Sequence, residues 1–118
     1  MRKALTLILV ALCLISCGSA LDKAATVNIK VLKNGQPVTN EMVYMFDSNL
    51  TSNTIHADDK VPTDEDGIAT FDIHGIDFGV DNRITLTFET FRGTTEITGK
   101  VAVTAKRGET SSATIIQE

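Results

Sequence analysis

Thr26-Val27-Asn28-Ile29-Lys30-Val31-Leu32 alternates apolar and polar side chains, with Val27, Ile29 and Val31 on one face and Asn28 and Lys30 on the other. That two-residue period belongs to a strand with one buried face. Asn34-Gly35 follows, a turn pair because both residues tolerate positive φ. Pro37 presets an extended approach to Met42-Val43-Tyr44-Met45-Phe46, which is apolar at every position. This predicts a second strand, either covered on both faces or leaving one face for a partner.

The rest of the chain extends the pattern. Residues 47–63 hold Asn, Thr, Ser, His and Asp with few periodic apolar positions, and read as a long loop with a short strand near Ile55 or Val61. Asp64-Glu65-Asp66-Gly67 is a tight turn, and Ile68 to Ile73 is a strand with Ala69, Phe71 and Ile73 inward. Residues 74–82 form another loop whose Ile76 and Phe78 plug an end of the core. Ile84, Leu86 and Phe88 alternate with Arg83, Thr85, Thr87 and Glu89. After a turn at Arg92-Gly93, Ile97, Val101, Val103 and Ala105 are expected inward, with Gly99 marking a bulge or a close approach. Arg107-Gly108 turns the chain into a last strand, Thr110 to Ile116. No stretch after the N-terminal apolar run sustains a 3.6-residue period, so no helix is expected there. The fold class is all-β, a two-sheet β-sandwich of about seven strands.

The N-terminus carries a different signal. Met1-Arg2-Lys3 is basic, and residues 4–15 are apolar apart from Thr6. The run is shorter than the ~20 residues of a membrane span but suits the core of an export signal. It ends Leu14-Ile15-Ser16-Cys17-Gly18, which resembles a bacterial lipobox. The resemblance implies lipid on the Cys17 thiol and cleavage before it. Residues 1–16 are then a signal peptide, 17–25 a lipidated tether and 26–118 the β-sandwich domain. A plain secretory signal cut near Ala20 is the alternative. Cys13 would be discarded with the signal; a Cys13–Cys17 disulfide would require the signal to be kept. Two or three acyl chains hold stably, at about 0.8 kcal/mol per buried CH₂. Gly18 to Ala25 reaches roughly 25–30 Å when extended, at about 3.4 Å per residue. Gly18, where an Asp would signal inner-membrane retention, points to the outer membrane, on its periplasmic or surface side.

Two segments of the domain resemble the hallmarks of carboxypeptidase-regulatory-like domains, small sandwiches of transthyretin-like (prealbumin-like) fold: Asn34-Gly35-Gln36-Pro37-Val38 with its following strand, and Thr63-Asp64-Glu65-Asp66-Gly67-Ile68-Ala69-Thr70-Phe71. Bacterial Ig-like domains share similar turns. The family usually has Gly where Asn40 stands, and Asn is the next best residue for a left-handed backbone. The resemblance implies a non-catalytic module that spaces, docks or binds. The pilin-type variant with a Lys–Asn isopeptide bond is not supported: Lys30 lies on the first strand, but residues 110–116 hold no Asn or Asp.

Chemistry-bearing residues are sparse. The formal charge is −4; removing residues 1–16 leaves 9 basic against 15 acidic residues, about −6. Such an acidic domain repels phosphate backbones, so nucleic acid is not an expected partner. Asp58, Asp59, Asp64 and Asp66 suggest Ca²⁺, but Gly75 stands where an EF-hand's last Glu would be, and a surface turn accounts for them. His56 and His74 with Asp58 or Asp72 are a thin basis for a transition metal. No metal or cofactor is expected, nor is an enzyme, since no nucleophile motif is present. Asn49-Leu50-Thr51 is a glycosylation sequon with no expected role in a bacterial lipoprotein. The weak binding candidates are Tyr44, Phe46 and Phe91, out of phase with the core, together with Asn49, His56 and Asp58 in or next to the long loop. The expected function is an envelope-anchored lipoprotein with a binding or scaffolding module, its partners the membrane and an envelope protein or glycan. The alternative is a carbohydrate-binding accessory lipoprotein; a small hydrolase or metal protein comes third.

Overall fold

The computed structural model describes residues 24–47, 53–74, 76, 78 and 81–118. The signal, most of the tether, Cys17 and Asn49 lie outside the described residues.

Among the described residues, eight strands form two sheets. In the first, β1 (Ala25–Lys33) is central. The last strand, β8 (Thr110–Gln117), runs parallel along one side of it, from Thr26↔Thr110 to Lys33↔Gln117. Along the other side, antiparallel, lie β5 (Ile68–Ile73) and the two-residue β2 (Gln36–Pro37). The second sheet has the order β4 (Asp59–Pro62), β3 (Met42–Phe46), β6 (Arg83–Arg92), β7 (Glu96–Lys106). The two inner faces enclose one core, fully buried at Val27, Ile29, Val43, Ala69, Phe71, Leu86, Phe88, Ala105 and Ile115. Phe71 and Phe88 meet across it edge to face, with centroids 4.9 Å apart. The inward residues expected on β1, β5 and β6 are the ones found, and Ile76 and Phe78 pack on the core as partly buried caps.

Asn34 (φ 54°) and Gly35 (φ 77°) make the two-residue hairpin turn. Asn40 is left-handed at φ 57°, as its place in the resemblance implies. Asp64 Oδ1 accepts the Asp66 and Ile68 amides at 2.8 and 3.0 Å, so this carboxylate closes the turn before β5.

The short strand expected within 47–63 is found at Val61: 59–62 form β4 on the edge of β3, pairing Val61 with Val43. Val61 is thus in a strand, whereas Ile55 is in a 3₁₀ turn, Thr54–His56, whose N-terminal amides bond Asn53 Oδ1. Ile97 is not inward: it is 41 % exposed. A bulge between Thr90 and Phe91 pairs Thr90 with Gly99 but Phe91 with Ile97, and one extra residue flips the strand's phase. Gly99 serves both roles foreseen for it, beside the bulge and with no room for a Cβ against Ile115.

The strand directions define two poles. Ala24 enters at one, where its carbonyl accepts from Gly108 in the β7–β8 turn and Asn82 O accepts from Arg107 N. At the opposite pole lie the Asn34-Gly35 turn, the Gly67 turn, the Gly93 turn and Glu118, whose amide bonds Thr98 O at 3.0 Å and joins the two sheets.

Candidate functional site

The aromatic candidates do converge. On the outer face of the second sheet, Tyr44 and Phe91 have centroids 5.5 Å apart at 87°, and Phe46 and Phe91 6.1 Å apart at 61°. The rings meet edge to face, the arrangement their quadrupoles favour, rather than sharing one flat plane. Phe46 is only 4 % exposed, so the open Tyr44–Phe46 stripe that would favour a glycan platform is not formed.

Glu89 sits in the same row, opposite Tyr44 on β3 and Lys100 on β7. Strand alternation points it away from the core, yet its side chain is wholly buried. Neither carboxylate oxygen has a hydrogen bond among the described residues, and Lys100 Nζ is 3.4 Å away. In the described part of the β3–β4 connection, residues 53–58, Thr54 N–H donates to Thr94 O at the β6–β7 tip and Asp58 N–H donates to Met45 O. Asp58 Oδ2 accepts from Asp47 N at 2.7 Å and closes the base of the connection. Sequence reasoning placed Glu89 on the solvent side and missed its burial, because strand alternation says which face a residue takes and not what covers that face.

The His and Asp candidates are divided. Asp58, Asp59, Asp72 and His74 line a cavity of about 460 Å³ at the entry pole, floored by Met45 and Ile73. His74 Nδ1 lies 3.0 Å from the Asp72 carbonyl. His56 does not reach this cavity; it stands exposed on the 3₁₀ turn. The four Asp considered for Ca²⁺ are split between the ends of β4, Asp58 and Asp59 at one, Asp64 and Asp66 at the other. Among the described residues no group of three His, Cys, Asp or Glu is placed to hold a metal.

A third concavity, about 480 Å³, lies on the outer face of the first sheet, where Asn28, Lys30, Thr70, Ser112 and Thr114 present polar tips. Thr70 Oγ1 donates to Asn28 Oδ1 at 2.8 Å. Lys30 stands beside Thr114 on the last strand, which holds no Asn or Asp; its one carboxamide, Gln117, lies opposite Lys33.

No family model matches the chain, and no curated protein does. Solved structures do. The minor pilin GBS52 of Streptococcus agalactiae superposes with a TM-score of 0.51 at 16 % identity, over 82 % of this chain and 45 % of that one. The TIE protein of Bacillus anthracis gives 0.46 at 14 % identity, over 80 % of this chain and 17 % of that one. The chain therefore spans less than half of either neighbour's length. What it shares with the minor pilin at this identity is the two-sheet β-sandwich fold.

Proposed function

We propose that the chain is an envelope lipoprotein, anchored through Cys17 at the outer membrane, whose β-sandwich works as a non-catalytic binding or scaffolding module. The observation that carries it is the sequence Leu14-Ile15-Ser16-Cys17 at the end of a basic, then apolar, leader. Two features of the fold support it. β1 begins at Ala25, eight residues beyond Cys17, so an extended tether would keep the domain within roughly 30 Å of its lipid. Polar side chains considered for chemistry or lying beside them carry structural bonds: Asp64 holds a turn, Asp58 closes a connection, and Thr63 Oγ1 bridges Val38 O and Glu41 N. The likeness to a minor pilin supports a module of this architecture.

Intact-mass measurement of the full chain produced in a bacterial envelope tests the proposal. The expected species begins at Cys17 and carries two or three acyl chains. A species that begins near residue 20 without lipid would overturn the anchor.

A further inference from the structure

The cavity at the entry pole has an apolar floor and an acidic rim. Met45 and Ile73 are almost fully buried at its base, and Ile76 is partly buried beside them. Asp58, Asp59, Asp72 and His74 complete the described lining, which holds no lysine or arginine. At about 460 Å³ the cavity is of ligand size, roughly 300–1,000 Å³. The pole as a whole is acidic: Asp47, Asp58, Asp59, Asp72, Asp81 and Glu109 outnumber Arg83, Lys106 and Arg107. Those bases stand away from the cavity. Arg83 is opposite Lys106 on β6 and β7, Lys106 Nζ lies 3.2 Å from Glu109 Oε2, and Arg107 stacks on Phe78 at 4.8 Å.

The chain itself arrives at this cavity. Ala25 pairs with Ile73 of the floor, and Ala24 N–H donates to Ile73 O at 2.8 Å. The residues just before Ala24 are Gly18-Ser19-Ala20-Leu21-Asp22-Lys23. Lys23 is the one cation among these six and Leu21 the one large apolar side chain. An acidic rim over an apolar floor calls for that pair of side chains.

We infer that the end of the tether docks in this cavity, with Leu21 on the apolar floor and Lys23 against the aspartates of the rim. The strand period agrees with this placement. Ala25, Val27, Ile29 and Val31 face the core, and the same period carried back sets Leu21 and Lys23 on their side and Asp22 on the other. Docking needs no lipid, and a chain cut near Ala20 keeps both side chains. Where Cys17 is lipidated, as proposed above, docking leaves residues 18–20 as the free span, roughly 10 Å at about 3.4 Å per residue. The entry pole then faces the membrane at close range.

The test is photo-crosslinking of the full chain made in a bacterial envelope. Benzoylphenylalanine replaces Leu21 and, as the control on the opposite face, Asp22. The expected product from position 21 is a crosslink within one chain to Met45, Ile73 or Ile76, located by peptide mass, with far less from position 22. Lys23→Glu should lower the yield from position 21 about tenfold, since it sets like charges together, and Lys23→Arg should retain it. No crosslink to those three residues, equal yields from the two positions, or a yield indifferent to Lys23→Glu would overturn the inference. So would a crosslink formed only with a second chain. The mass of the N-terminal peptide in the same sample reads the anchor separately: an unlipidated chain cut near Ala20 would remove the anchor and leave the docking result standing.

Discussion

Gly67 packs against Pro37 so closely that a Cβ on it would stand 2.9 Å from Pro37 Cβ and 3.1 Å from Val31 O. The contact joins the two segments that carry the family resemblance. The β1–β2 hairpin and the turn before β5 are one packed unit, with Val31 N–H donating to Gly67 O at 2.8 Å.

Gly67 and Gly35 share a φ of 77°, but nothing lies within 4 Å of a Cβ built on Gly35. Both Ala variants pay for the left-handed backbone, at about 1–2 kcal/mol. Only Gly67→Ala also pays for the clash. Urea midpoints should fall further for Gly67→Ala than for Gly35→Ala. Equal losses would show that the Pro37 contact contributes nothing.

Gly99 has no room for a methyl group against Ile115. Gly99→Ala should destabilise the domain by roughly 1–3 kcal/mol, the usual cost of overpacking. Combined with Ile115→Ala, the loss should be smaller than the two single losses added together, because the space vacated by one residue receives the other. Strict additivity in denaturant melts would contradict the packing.

Among the described residues Glu89, a buried carboxylate, has a single charged partner, Lys100. Desolvation of such a group commonly cancels what its partner returns. Glu89→Met should leave stability unchanged or raise it, whereas Lys100→Met should lower it by about 1–3 kcal/mol, by leaving the charge uncompensated. The order of the two thermal midpoints is the check, and the reverse order would mean that Glu89 has partners that hold it favourably.

Asp58 ties the start and the end of the β3–β4 connection through Asp47 N–H. Asp58→Ala should speed hydrogen exchange at the Asp47 and Thr54 amides, with little change at Phe71 or Phe88 in the core. Uniformly faster exchange would mean that the connection and the core open together.

Strand phase was legible wherever burial had one side. Val27, Ile29, Phe71, Leu86 and Phe88 read directly from a period of two, and each turn with an Asn-Gly or lone Gly fell in place. What escaped was information held between segments. The bulge that exposes Ile97 is set by pairing with β6, and Gly99 marks the place without saying which way the phase moves. A short strand is expected near Ile55 or Val61, and with so few apolar positions no period chooses between them; pairing with the edge of β3 decides for Val61. Tyr44, Phe46 and Phe91 read as out of phase with the core; cover over both faces of β3 was one of two open readings, and nothing in β6 itself says that Glu89 is buried.

The central claim is the anchor, and metabolic labelling with a fatty-acid analogue tests it most directly. In cells making the full chain and its Cys17→Ser variant, the account predicts label on the first and none on the second, which should accumulate uncut or soluble. Label that persists on the Cys17→Ser protein, or none on the unaltered one, would contradict it.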